Sequence, residues 1–458
     1  MPAGCFRAIM TVTERFAEYI HRTSFEDIPG EVQRYAKLCL LDWLGVTLGG
    51  SREPVSDILL DFVDIVGGNE HATIIGKARK TNLIFAALAN GTQSHALDFD
   101  DTHKGAGIHP SVCLAPAVVA AAEYMKSSGR DFITAFVIGF EIAARIGEAA
   151  GQAHYDKGFH ATSTIGRFSA TAGAAKLMGL SREQIVNAFG ITGTQVSGLR
   201  EVFGTMSKPF HAGKAAMDGL LSVALAKRNF DSSHEIFEGK FGLKNVFAPE
   251  ADASKLFADL GTEYHIMDIA FKPYASALAT HSTIQAVEEM KEMEGVTAED
   301  VQSIQIEFAP LPFSVVNIKH PRKVLEGKFS VYQCAALAFV KGRVNPDMFT
   351  QKWIDDPELI DFRDRINVLL NTNLKKFETI IKVITKDGRI LENFIRESRG
   401  SAEDPLTFVE MKKKFMSLAE PVISEENAEK IVEMIGCLPE IEDMNEIINL
   451  CHPVRRNI

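Results

Sequence analysis

Histidine, aspartate and lysine gather in five short stretches of this 458-residue chain. The densest is His95-Ala96-Leu97-Asp98-Phe99-Asp100-Asp101-Thr102-His103, followed by a Gly-containing run at 104–108 and then His109-Pro110-Ser111. Three carboxylates within four positions repel one another, so they need water, basic partners or a metal ion. Left to water, they form a solvated acidic loop. Around a hard cation such as Mg²⁺ they form a metal site, because such ions take carboxylate oxygens. In a metal-free pocket, one Asp beside a His is an acid/base pair.

The second stretch, Tyr155-Asp156-Lys157-Gly158-Phe159-His160-Ala161-Thr162-Ser163, sets a histidine before an expected helix start, where free N–H groups favour anions. The third, running from Gly204 through Lys208-Pro209-Phe210-His211 to Lys214, offers Lys208 and His211 as two cationic donors near another helix start. The fourth is Phe271-Lys272-Pro273-Tyr274-Ala275-Ser276, leading to His281. There Lys272 occupies a position suited to an interdomain cleft. The fifth is Glu326-Gly327-Lys328-Phe329-Ser330-Val331-Tyr332. Taken singly, each lysine reads as a solvated surface charge; the recurrence of Gly, Pro and His beside them points to binding. Asp98-Phe99-Asp100-Asp101 also fits a D-x-D-D string that resembles the acid motif of helical terpene cyclases. Those enzymes need aromatic walls and a second acidic motif, whereas this chain has two tryptophans and no such motif. P-loop, dinucleotide-binding, H-E-x-x-H and G-x-S-x-G patterns are missing, which removes support for nucleotide, zinc-hydrolase and serine-hydrolase chemistry.

The elements that position these stretches read as helices over roughly the first 265 residues. Stretches 83–97, 112–126, 131–150, 163–179 and 214–227 are rich in Ala, Gly, Ile and Leu and are bounded by capping or breaking residues. Several are apolar on most faces, as in the interior of a bundle. Beyond Phe271 the pattern changes. Residues 303–308 alternate polar and apolar as a half-buried strand does, and Lys386-Asp387-Gly388 between β-rich runs predicts a hairpin over 377–395. Helices are expected at 281–294 and 329–340, and again from Phe408 to the end. The expected fold class is therefore mainly α with an α+β second domain. A large helical bundle is built from both chain ends, residues 1–267 and 403–458, and an α+β lid is inserted at 268–402.

With roughly 150 residues per domain, two or three domains are expected. A hydrophobic content of 46% excludes disorder, and a net charge of −11 argues against nucleic acid as a partner. The six cysteines form no C-x-x-C pair and read as reduced thiols. The apolar stretches contain charges and are too short to span a bilayer, and the N-terminal segment lacks a secretory h-region. A cytoplasmic protein with no membrane partner is expected.

Taken together, HALDFDDTH…HPS, GFHATSTIG, GTMSKPFHAGKAA, FKPYASALATH and LEGKFSVYQCAALA resemble the MmgE/PrpD family, in the family's order. That family includes 2-methylcitrate dehydratases, cis-aconitate decarboxylases and iminodisuccinate epimerases. The resemblance implies a homodimer without cofactor or metal, acting on a small di- or tricarboxylate. Carried over by motif, it implies an active site at Asp98, Thr102, His109, His160, Lys208, Lys272 and Tyr332. His109, His160 and Tyr332 would move protons, Lys208 and Lys272 would bind carboxylates, and Asp98 and Thr102 would orient their neighbours. The lyase branches remove hydroxide or CO₂; the epimerase branch, which GTMSKPFH and LEGKFS most resemble, is the alternative. The decarboxylase branch carries a histidine where this sequence has Ala277. A protein that only binds polycarboxylates is the alternative from another class.

Overall fold

The computed structural model describes residues 10–342 and 344–454. These residues pack as two units. Unit 1 is helical and holds the chain up to Ala96, residues 100–269 and the segment from Phe408 onward. Unit 2 comprises 270–407 together with a three-residue piece, 97–99.

Unit 1 begins with α1 (Val12–Arg22), α2 (Gly30–Gly50) and α3 (Pro54–Val66). Thr11 caps α1 reciprocally with Glu14, and Ser128 and Ser181 start later helices in the same way. A short antiparallel pair, β1 (Ala72–Ile74) and β2 (Arg79–Thr81), interrupts the helices. It was not expected, since three-residue strands carry too little periodicity to be read. Then follow α4 (Leu83–His95), α5 (Ser111–Met125), α6 (Gly129–Asp156), α7 (Ala161–Thr164), α8 (Gly166–Leu177), α9 (Arg182–Gly193) and α10 (Ser207–Ala226). All five helical stretches read from the sequence are present, with shifted ends. The stretch from 163 divides into α7 and α8. Helix α10 starts seven residues earlier than expected, because Pro209 falls in its first turn, where no N–H donor is needed.

Small residues decide how these helices meet. A Cβ on Gly91 of α4 would lie 2.7 Å from the Gly213 Cα of α10, and one on Gly213 would lie 2.1 Å from the Leu88 carbonyl oxygen. The two backbones touch, and no larger side chain fits between them. That contact sets the last turn of α4, ending at His95, beside the first turns of α10, which carry Lys208 and His211.

Unit 2 contains α11 (His281–Glu294), β3 (Val301–Phe308), α12 (Val331–Ala336), β4 (Ile366–Leu370), β5 (Thr379–Thr385) and β6 (Ile390–Ile395). The sheet order is β4-β3-β5-β6. β3 pairs with β4 in parallel, Ile304 opposite Ile366, and with β5 in antiparallel, Ile304 opposite Val383. The expected hairpin joins β5 to β6, and Gly388 takes a φ of 89° in its turn. Ile304, Ile306 and Phe308 face the buried side with Ile381 and Val383, against which α11 packs. The helix expected at 329–340 is α only over α12 and continues as a π turn at Leu337–Lys341. The chain returns to unit 1 as α13 (Phe408–Ala419) and α14 (Glu425–Gly436), with α13 against α2. The fold is thus mainly α with an α+β second part.

Among the described residues, the five cysteines Cys39, Cys113, Cys334, Cys437 and Cys451 are free thiols, and no helix is long and apolar enough to cross a membrane. Cys5, read with the others as reduced, lies outside the described residues.

Candidate active site

Helix α4 ends at His95, and the chain turns through Asp98 in the left-handed region at φ 54°. Asp tolerates that conformation better than most residues. Of the three readings of this stretch, the solvated acidic loop is overturned: Asp98, Asp100 and Asp101 are 4%, 1% and 0% exposed. Burial is possible because each carboxylate has its own partner. In unit 1, Asp100 accepts from His95 Nδ1 at 2.9 Å and from His109 Nδ1 at 2.9 Å. Asp101 accepts from the Ser111 backbone N–H at 3.2 Å and from the Ser111 hydroxyl. In unit 2, Asp98 pairs with Lys272. The three groups therefore diverge, and the D-x-D-D string does not form one acidic cradle. His95, Asp100 and His109 do lie close enough to surround an ion. Their nitrogens and oxygens, however, already meet at 2.9 Å, the separation of a shared proton.

The loop after Thr102 folds back on itself, with the His103 N–H donating to the Ile108 carbonyl at 2.9 Å. This returns His109 to the acidic segment. Its Nδ1 also lies 2.9 Å from the Asp101 carbonyl oxygen and 3.3 Å from the Thr102 hydroxyl. Its backbone N–H donates to the Thr162 hydroxyl of α7 at 3.2 Å.

His160 stands immediately before α7, a single turn of helix. Its Nδ1 is 3.1 Å from His211 Nδ1 on α10, so one of the two rings donates. The His160 ring stacks on His95 at 6.1 Å and 19°, meets Phe203 edge-on at 5.0 Å, and the His95 and His109 rings are 4.8 Å apart. Lys208 is buried, with its ammonium 5.9 Å from the Phe203 ring. Beneath His211, buried Arg167 donates to Asp218 at 2.8 Å and to the Ser197 carbonyl at 2.9 Å.

Burial drives the electrostatics. It pushes His95 down to about 4 although Asp100 opposes it, and it holds His160 well below the usual range, reinforced by the Lys208 charge. His211 falls to about 4 through burial and the nearby Arg167 and Lys208 charges. Asp100 is also penalised by burial, but His95 and His109 outweigh that and hold it well below the carboxylate range. The cluster is a buried carboxylate and an ammonium among imidazoles, of which His95, His160 and His211 are held neutral. Elsewhere in unit 1, burial raises Asp101 to about 8 and Glu141 to about 7, and lowers His103 to about 4.

These shifts predict how stability varies with pH. Below about pH 6.5 the unfolded chain protonates His95, His103, His160 and His211, while in the fold His95, His103 and His211 resist down to about 4 and His160 is held well below its usual range, so stability falls as the pH falls through that window. His95 alone accounts for about 3 kcal/mol. Asp101 and Glu141 act in the opposite sense, since they stay protonated in the fold to about 8 and 7 but ionise near 4 when unfolded. Four imidazoles outweigh two acids at low pH; above about pH 6.5 the acids lower stability, and so does His265, whose pKa Glu148 raises, so that its contribution is lost as the pH rises. Stability is expected to peak near pH 6.5. Urea midpoints at about pH 5, 6.5 and 8 check this; a midpoint still rising toward 8 contradicts it.

In unit 2, Lys272 is 1% exposed; its ammonium donates to the Asp98 carbonyl at 2.9 Å and lies 3.3 Å from the Asp98 carboxylate. Lys328 is also buried and donates to the Leu97 carbonyl at 2.6 Å. Together with Lys208, these lysines correct the reading of solvated surface charges: each long stem threads into packed structure, and for Lys272 and Lys328 the ammonium ends on backbone oxygen. Tyr332, on α12, is buried with its hydroxyl donating to Asn317 Oδ1 at 2.9 Å, and burial raises its pKa. Lys272→Ala is expected to lower stability by about 3–5 kcal/mol, because it takes a buried ammonium away from the buried Asp98 carboxylate. Urea denaturation of Lys272→Ala beside Lys272→Arg checks this.

Of the residues singled out from the sequence, the structure gathers Thr102, His109, His160, Lys208 and His211 in unit 1, and Asp98 with Lys272 in unit 2. Tyr332, also in unit 2, donates to Asn317. Sequence reasoning quoted His95 and Asp100 within the densest polar stretch but assigned neither a role, and it missed Arg167. A spacing of five residues across a helix end marks no standard motif, and Arg167 sits inside an otherwise apolar helix. No local signal identified them.

The profile of the MmgE/PrpD N-terminal domain matches residues 14–255, and that of the MmgE/PrpD C-terminal domain matches residues 274–440. A cis-aconitate decarboxylase-like protein of Aspergillus oryzae is 28% identical over 468 residues, covering 96% of this chain and 97% of that protein. The cis-aconitate decarboxylase of Homo sapiens is 25% identical over 96% of this chain and 95% of its own length. That of Aspergillus terreus is 24% identical, over 97% and 96%.

Proposed function

The chain belongs to the MmgE/PrpD family, and from that premise we propose that it is a cofactor-independent lyase acting at a carbon next to a carboxylate of a small di- or tricarboxylate. The observation that carries this reading is the set of four imidazoles beside Lys208, His95 and His160 buried and His109 and His211 half-buried, in which His95 and His109 meet Asp100 and His160 meets His211. A substrate carboxylate finds its counter-charge in Lys208, in surroundings of low dielectric where a charge-assisted hydrogen bond is strong. His109, oriented by Asp100, takes or returns the proton at carbon, and His160, oriented by His211, is the second proton carrier. In dehydration, the proton leaves the α-carbon and hydroxide departs from the β-carbon. In decarboxylation, CO₂ leaves and the carbanion is protonated. Full-length relatives named as cis-aconitate decarboxylases support a lyase. To Lys272 and Tyr332 we extend the roles the family resemblance implies, carboxylate binding and proton transfer, with KM of Lys272→Arg and kcat of Tyr332→Phe as the readouts.

Ala277 supplies only a methyl group where the decarboxylase branch carries a histidine, which favours testing other chemistries alongside cis-aconitate. The deciding experiment is proton NMR in D₂O with citrate-type and succinate-type acids, starting with cis-aconitate. Net conversion with loss of water or CO₂ supports the lyase. Deuterium entering an unchanged acid points instead to the epimerase reading. Binding without exchange or conversion defeats catalysis and leaves a polycarboxylate-binding protein.

A further inference from the structure

One buried carboxylate serves two imidazoles here, and only one of them belongs to the residues singled out from the sequence. His95 Nδ1 lies 2.9 Å from both oxygens of Asp100, and His109 Nδ1 lies 2.9 Å from Oδ2. An ionised carboxylate can only accept, so both nitrogens carry their protons toward Asp100. A neutral imidazole with Nδ1–H has its lone pair on Nε2. His95 Nε2 is buried and has no hydrogen-bond partner among the described residues, with its ring stacked on His160 and 4.8 Å from His109. An unsatisfied acceptor in such a place calls for an explanation beyond packing. The backbones of α4 and α10 touch at Gly91 and Gly213, which sets the end of α4 that carries His95.

We propose that Asp100 is the positioning residue of proton transfer in this protein: it fixes His109 and His95 in one tautomer at once, with His95 as the second support that holds the carboxylate charged and aligned. This rests on the reading of His109 as a proton carrier. Asp100 acts through His109, and His95 acts through Asp100. When His109 accepts a proton on Nε2, the resulting imidazolium is stabilised by the carboxylate at its Nδ1–H, and the proton returns from Nε2 to carbon or to water. No proton needs to leave Nδ1, and Asp100 stays ionised throughout.

The test has an arm that needs no substrate. In histidine-labelled wild-type protein, ¹⁵N NMR should show Nδ1 of His95 and His109 as the protonated nitrogen and Nε2 as the bare one. In Asp100→Asn, whose amide can donate to an imidazole, at least one ring should invert. With an acid that the wild type converts, Asp100→Asn should lower kcat about 10²- to 10⁴-fold with KM within about threefold. His95→Gln should lower kcat about tenfold alone and have no further effect in the Asp100→Asn background. Asp100→Glu should recover part of kcat. A bare Nδ1 on His109 in the wild type overturns the proposal, and so does Asp100→Asn with near-normal kcat. If Asp100→Asn does not fold, the wild-type tautomers and the His95→Gln and Asp100→Glu kinetics decide alone, and full activity in both overturns it. If the wild type converts no acid while its tautomers are as expected, the lyase reading fails and the alignment of the two imidazoles stands.

Discussion

His109→Gln is expected to lower kcat about 10²- to 10⁴-fold with little change in KM, the range a positioned general acid/base contributes. The reason is geometric. His109 is half-buried, its Nδ1 is occupied by Asp100 and the Asp101 carbonyl, and its backbone N–H is tied to Thr162. A glutamine can keep one of those hydrogen bonds and fills a similar volume, but it has no group that accepts a proton near neutral pH. Steady-state kinetics on whichever acid the wild type converts, with thermal unfolding to confirm the fold, measures this. A kcat within threefold of wild type would remove His109 from the mechanism and leave His160 as the remaining imidazole candidate.

The second large effect is expected at Lys208. Lys208→Ala removes a buried ammonium whose charge acts on the imidazole cluster, and losing a buried charge partner costs about 2–5 kcal/mol, or about 30- to 5,000-fold in kcat/KM. Most of that should appear in KM, because the carboxylate is held in the ground state as well as in the transition state. Lys208→Arg should retain part of it. A second readout follows from the imidazoles. Burial is the main cause of their depressed pKa values, and the Lys208 charge adds to it for His95, His160 and His211. Without that charge the three rings protonate more readily, so the acid limb of kcat/KM should move to higher pH in Lys208→Ala. A variant with wild-type KM and an unmoved acid limb would show that Lys208 neither binds carboxylate nor sets the field at the cluster.

Much of the fold is legible because the signals that specify it are local. Helix α11 follows from its own residues, and the hairpin of β5 and β6 follows from Asp387-Gly388, whose turn needs a positive φ that glycine accepts. Strand β4 was not foreseen because its five residues pair in parallel with a strand some sixty positions earlier, and no turn announces such a pairing. The start of α10 was placed too late because Lys-Pro-x-His looks like a loop, although a proline in the first turn forfeits no hydrogen bond.

The candidate site divides along the same line. Residue types and their order along the chain are enough to nominate His109, His160, Lys208 and Lys272. Partnership is another matter. Lys272 meets an aspartate 174 positions away, and His160 meets a histidine 51 positions away. Among three neighbouring carboxylates, the chain alone does not say which one takes two imidazoles, which takes a lysine and which a serine. That assignment is made by burial: once water is excluded, every charge must find a partner, and only the packed arrangement of distant helices determines which partner each one reaches.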